Sequence, residues 1–150
     1  MKQIGDIGEE FVAQWLIEKG NHLLERSWSC RWGEIDLIAK DATAQTIIFV
    51  EVKTRSDRNW DECGLMAITP QKQQKLIKTA SLFLSQRPHF EDCGCRFDVA
   101  LVSYQKYTNK SQPQNFHNPA IAMGKPFIWK NRDRLILKNY LEAAFSLDDI

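Results

Sequence analysis

The sequence predicts one α/β domain, and three observations carry that reading. Residues 46–55, TIIFVEVKTR, form a continuous β-branched run of the kind found in strands buried on both faces. Residues 69–87, TPQKQQKLIKTASLFLSQR, have the cap, first-turn proline and apolar spacing of an amphipathic helix. A second strong strand signal, FDVALVSY at 97–104, follows that helix.

At 6–19, DIGEEFVAQWLIEK places Ile7, Phe11, Ala13, Trp15, Leu16 and Ile17 close to a helical pattern, and Gly20 is a natural stop. NHLLERSWSCRW at 21–32 reads as a first strand and a loop. GEIDLIA at 33–39 alternates Glu34, Asp36 and Ile38 against Ile35, Leu37 and Ala39, the period of a strand. The polar segment KDATAQT at 40–46 joins it to the next strand, so an antiparallel hairpin is the economical arrangement. In the 69–87 helix Thr69 is the N-cap, Pro70 is the first helical residue, and Leu76, Ile77, Ala80, Phe83 and Leu84 form the apolar stripe. The Pro- and Asn-rich stretch 105–119 reads as a long loop insertion. The tail, 120–150, reads as β-rich, with KPFIWK and RLILKN as short strands and YLEAAF at 140–145 as a closing helix. With no repeat and no long linker, 1–150 reads as one domain.

Composition is that of an ordinary globular protein, 43% hydrophobic and 26% charged. No apolar run approaches the ~20 residues needed to span a bilayer. MKQIGDIGEE puts charge where an export signal needs an apolar stretch, so a cytoplasmic protein without membrane attachment is expected. In that setting Cys30, Cys63, Cys93 and Cys95 read as thiols, and the paired C-x₂-C spacing of a zinc site is missing. The net charge of +1 speaks against strong general affinity for nucleic acid. It is unevenly spread, however. Residues 1–50 hold 5 Lys and Arg against 8 Asp and Glu, whereas residues 51–90 hold 7 against 4. Such a division suits carboxylates holding a metal beside a phosphate-binding face, and an ordinary mixed surface produces it as well.

The informative constellation is Asp36, then 14 residues, then Glu51-Val52-Lys53. Residues two apart on a strand share a face at roughly 6.6 Å, so Glu51 and Lys53 project together while Val50 and Val52 face the other way. The hairpin brings Asp36 beside Glu51. Two converging carboxylates need a cation, and a hard divalent ion such as Mg²⁺ or Mn²⁺ suits oxygen ligands. Such an ion polarises a phosphodiester and acidifies a bound water, with Lys53 placed to orient that water or neutralise developing charge. The plain alternative is an amphipathic hairpin with Glu51 and Lys53 as a surface ion pair. Against it, Glu51 interrupts a run that otherwise reads as interior, where an unpartnered carboxylate is costly.

Glu34, on the Asp36 face, is either a further ligand or a solvent-facing acid. Arg26, Arg31 and Arg55 flank the hairpin and Lys72 opens the following helix, positions suited to phosphate contacts. For Lys75 and Lys78 a solvated helix face is the preferred reading. Trp28 and Trp32 suit strand-edge packing better than stacking on unpaired bases. Asp98 reads as a structural partner of Arg96 or of a helix lysine.

GDIGEEFVAQWLIEKG, GEIDLIA, FVEVKTR, ITPQKQQKLIKTASLFL and RFDVALV stand in the order seen in the YraN-like family of bacterial proteins, and they cover residues 5–103 with few gaps. That family is similar to archaeal Holliday junction resolvases and other PD-(D/E)xK nucleases. The resemblance implies a restriction-endonuclease-like fold, a central mixed β-sheet flanked by α-helices. It implies Asp36 and Glu51 as metal ligands and Lys53 as the catalytic lysine. Glu9, in the first helix, matches a resolvase glutamate that completes the metal site, and the Val52 carbonyl is a further ligand. The implied activity is Mg²⁺- or Mn²⁺-dependent hydrolysis of DNA, with structured, branched or flapped DNA as partner. A homodimer is the arrangement such nucleases use to cut two strands. The alternative is a nuclease-fold module that binds nucleic acid or a repair partner without cutting.

Overall fold

A computed structural model describes residues 3–43, 45–56, 68–106, 119–130 and 133–145. The chain runs α1 (Ile4–Glu18), β1 (His22–Cys30), β2 (Gly33–Lys40), β3 (Thr46–Ser56), α2 (Pro70–Ser85), a 3-10 turn (Pro88–Phe90), β4 (Gly94–Lys106), β5 (Pro126–Trp129) and β6 (Asp133–Phe145). The strands form one six-stranded mixed sheet in the order β1-β2-β3-β4-β6-β5. β3 and β4 run parallel, with α2 between them in sequence, and the other neighbours are antiparallel.

The two central strands read as continuous apolar runs because both faces of the sheet are covered there. On one face α1 presents Phe11, Val12, Trp15 and Leu16 to Leu37, Ile48, Val50 and Val52, joined by Phe127, Trp129 and Leu135. On the other, Ile77, Ala80 and Phe83 of α2 meet Ile38, Ile47, Phe49, Phe97 and Val99. Trp28 joins this second layer edge-on to Phe83, with ring centres 5.3 Å apart, so its packing role holds. Cys93 and Cys95 pack against the same layer. Helix boundaries follow local chemistry: the Thr69 side chain accepts the Lys72 N–H at 3.2 Å, and Gly20 takes the left-handed φ of +92° just past α1.

Two expectations are corrected. Residues 140–145, expected as a closing helix, continue β6: Leu141 pairs with Val99 and Phe145 with Phe97. Helix propensity in YLEAAF yields to sheet pairing and to a buried carboxylate. Asp98, 1% exposed, takes the Tyr140 hydroxyl at 2.6 Å, the Ala143 N–H at 2.9 Å and the Arg96 guanidinium at 3.1 Å. Ala143 reaches it through a left-handed φ of +50°, where the register with β4 shifts. The strict alternation in 33–39 also fails: Ile35 enters the α2 layer, whereas Leu37, which should share its face, enters the α1 layer. The break falls at Asp36. Of the 105–119 stretch, Gln105 and Lys106 complete β4, and 107–118 lie outside the described residues.

No helix among the described residues is long and apolar enough to cross a membrane.

Candidate functional site

The β2–β3 ladder pairs Lys40 with Ile47 at one end and Leu37 with Val50 at the other. Past Leu37 the carboxylate of Asp36 takes over: its Oδ2 accepts the Val52 N–H at 2.8 Å. A side chain thus continues the link between two strands whose recorded backbone pairing has ended, and this holds the carboxylate against β3.

Glu51 and Lys53 lie on β3, with Lys53 Nζ 3.2 Å from Glu51 Oε1 and side chains only 13% and 20% exposed for lysine and glutamate. Val50 and Val52 go into the α1 layer, so the alternation expected for this strand holds. Glu51 also lies close enough to Asp36 for that carboxylate to raise its pKa.

Glu9 reaches Asp36 from α1, and the Ser27 hydroxyl donates to Glu9 Oε2 at 3.4 Å. The seating of α1 explains this reach. Gly8 is buried, and a Cβ there would run into Oγ1 of Thr54 on β3. With hydrogen at that position the helix comes down onto the strand and delivers the next residue, Glu9, to the sheet. One carboxylate oxygen from each of Glu9, Glu34 and Asp36 lies within 4.8 Å of the other two. Glu34 therefore belongs to the cluster. Glu51 adjoins Asp36 without joining that tight triplet.

Burial and mutual repulsion show in the acidities. Asp36 is pushed up to about 7 by burial first and then by Glu9 and Glu34, against the Val52 N–H that favours its charged form. Glu51 is raised to about 7 by burial and by Asp36, with Lys53 opposing. Glu9 is raised as well, chiefly by burial. Oxygen donors crowded this way on three elements are chemically matched to a hard divalent cation, which would relieve the repulsion.

The basic residues separate into two groups. Lys72 lines a cavity of about 160 Å³ between the start of β2 and α2, walled also by Trp32, Gly33, Glu51, Ile68 and Leu76. Lys75 lines it too, and Lys78 Nζ stands 4.9 Å from the centre of the Trp32 ring; both lysines are exposed, as a solvated helix face requires. Arg31 holds its guanidinium 4.6 Å from the same ring. Arg26 and Arg55 are engaged elsewhere: Arg26 Nη2 lies 3.8 Å from Glu10 Oε1, and Arg55 Nη1 donates to the Thr54 carbonyl at 2.9 Å. The surroundings of Lys75, Lys78 and Glu34 depend on which element packs opposite, which local sequence does not carry.

The chain is similar to proteins of several cyanobacteria. It is 41% identical to a UPF0102 protein of Acaryochloris marina over 97% of this chain and 91% of the relative. It is 42% identical to one of Synechocystis over 97% of this chain and 99% of the relative. It is 48% identical to one of Trichodesmium erythraeum, over 94% and 87%. The family model described as "Uncharacterised protein family UPF0102" matches residues 8–102, a span that contains Glu9, Glu34, Asp36, Glu51, Lys53 and α2. With that match and these relatives, the chain belongs to UPF0102, the YraN family.

Proposed function

We propose that the protein is a metal-dependent endonuclease of the PD-(D/E)xK class, with a restriction-endonuclease-like fold, hydrolysing phosphodiester bonds in branched or flapped DNA. The observation that carries the reading is Asp36 wedged between Glu9 and Glu51, with Lys53 Nζ 3.2 Å from Glu51. Asp36, Glu51 and Glu9 hold Mg²⁺ or Mn²⁺ in this reading, with the Val52 carbonyl as a further ligand and Glu34 beside them. When bound, the ion supplies Lewis acidity at the scissile phosphate and a more acidic water.

The chain's own groups do the rest. The Val52 N–H fixes the Asp36 carboxylate, and Gly8 sets the height of Glu9 above the sheet. Lys53, oriented by Glu51, presents a positive charge where the attacking water and the phosphate oxygens meet. Lys72 lines the adjoining cavity and Arg31 stands over the ring of Trp32, and both receive flanking phosphates, while Arg26 and Arg55 contact the strand farther out. A homodimer would set two such centres on two strands.

The test incubates purified protein with duplex, single-stranded, flapped and four-way-junction DNA in Mg²⁺ or Mn²⁺. Cleavage that needs the ion and is lost in Asp36→Asn and Lys53→Ala supports the reading. Cleavage indifferent to both substitutions defeats the site assignment. Salt-dependent binding without cleavage under any ion would instead establish a non-cutting nucleic-acid module.

A further inference from the structure

The cavity beside Glu51 has a composition that metal chemistry leaves unexplained. Ile68, Leu76 and Trp32 give it an apolar lining, Lys72 and Lys75 line it as cations, and Glu34 and Glu51 bring carboxylates from the side of the candidate metal centre. The volume, about 160 Å³, compares with the roughly 150 Å³ of an apolar cavity that accepts one benzene ring. Trp32 remains 39% exposed although Arg31 and Lys78 both approach its ring. An aromatic wall among cations suits a flat ring attached to a polyanion: the ring stacks and the cations take its phosphates.

From this we infer that the cavity receives one unpaired DNA base, next to the phosphate held at Asp36, Glu51 and Lys53. The inference rests on the endonuclease reading and specifies its substrate. Glu51 lines the cavity and holds Lys53 Nζ at 3.2 Å, so the pocketed nucleotide and the scissile phosphate are immediate neighbours. A base stacked in a duplex cannot enter, because its faces are already covered. The chain therefore selects DNA by the presence of a free base at the cleavage point, as found at a bulge, flap or branch, without reading its sequence. On binding, Arg31 and Lys78 move from the indole to the phosphates flanking that base.

The experiment measures anisotropy of a fluorescein-labelled duplex carrying one unpaired thymine, against the same duplex with an abasic unit at that position. It is run in EDTA with the Asp36→Asn protein, so that no strand is cut. The thymine duplex should bind about tenfold more tightly than the abasic one, a ratio within the range of single-base stacking. Trp32→Ala should erase that ratio and Trp32→Phe should restore most of it, with melting temperature recorded for each variant. Leu76→Phe, which fills the cavity from its apolar lining, should erase the ratio while Trp32 stays in place. Equal affinity for thymine and abasic duplexes, or a ratio that survives both Trp32→Ala and Leu76→Phe, overturns the inference. Cleavage by the wild-type protein is scored separately in Mg²⁺. A base-dependent ratio without cleavage sinks the nuclease reading and keeps the pocket, whereas cleavage with base-blind binding does the reverse.

Discussion

Lys53 Nζ lies 3.2 Å from Glu51 Oε1, and each of these side chains is at least four-fifths covered. Surface ion pairs are loose and contribute little, but this one is held on adjacent same-face positions of a central strand. The lysine is thereby fixed in direction before any substrate arrives. Lys53→Ala is expected to lower the cleavage rate by about 10²–10³-fold, the usual effect of removing one preorganised charge from a developing anion. DNA affinity measured without divalent ion should change little. Single-turnover kinetics and anisotropy separate the two, and an equal loss in both would make Lys53 a binding residue only.

The raised carboxyls give stability a definite pH dependence. Asp36 and Glu51 have ordinary values of 3.8 and 4.5, and both are pushed up to about 7 in the folded chain. Between about 4 and about 7 the folded state therefore keeps protons that the unfolded state has lost. The stability these two groups contribute is complete at the acid end of that window and is lost as pH rises through it. An ion that replaces the protons restores it. Mg²⁺ should therefore raise the melting temperature more at pH 8 than at pH 5, and Asp36→Asn should abolish most of the rise. The same increment at both pH values would mean that these carboxyls are not the ligands.

Gly8→Ala tests how α1 carries Glu9. The added methyl meets Thr54 Oγ1, so the helix must lift, with overpacking of this kind costing about 1–3 kcal/mol. Activity should fall with stability because Glu9 is the next residue. Thr54→Ala in the same chain removes the obstructing hydroxyl and should recover part of both. Denaturant unfolding of the two single variants and the double variant gives the coupling, and strict additivity would exclude the proposed contact.

Asp98 offers a contrast, being an aspartate outside the proposed metal site. Burial and the adjacent Asp98 carboxylate keep the Tyr140 phenol protonated, so its hydroxyl is a permanent donor. Asp98→Ala leaves that hydroxyl, the Ala143 N–H and the Arg96 guanidinium without their acceptor, a loss of about 3 kcal/mol or more. The effect should appear in chemical denaturation, whereas the Mg²⁺ dependence of the remaining folded protein stays as in wild type. A changed Mg²⁺ affinity would refute the separation.

Much of this architecture can be read from local signals. The β-branched run at 46–55 gives β3, Thr69 and Pro70 give the start of α2, and period two on β3 separates Glu51 and Lys53 from Val50 and Val52. What local signals miss is decided by partners distant in sequence. YLEAAF has helical composition, but Val99, Phe97 and Asp98 lie some forty residues earlier and recruit it into the sheet. Asp36 stands where β2 stops alternating, so its position depends on a strand it has ceased to pair with in the regular way. Lys75 comes to line a cavity and Lys78 to approach Trp32 only because α2 crosses over the residues that begin β2. Local sequence does not distinguish a ligand from a surface acid at Glu34 for the same reason, since Glu9 comes from another element.

The hydrogen bond that Val52 donates to Asp36 also bears on which ion the proposed metal centre would prefer. Asp36 Oδ2 accepts a backbone N–H at 2.8 Å, which leaves Oδ1 as the oxygen not held by the Val52 amide. One-oxygen ligation suits a small cation with strict octahedral geometry, whereas Ca²⁺, larger and often gripped by both oxygens of a carboxylate, is poorly served. In the proposed metal centre a single backbone amide would thereby act as a size filter, favouring Mg²⁺ and Mn²⁺ by limiting how a carboxylate can grip.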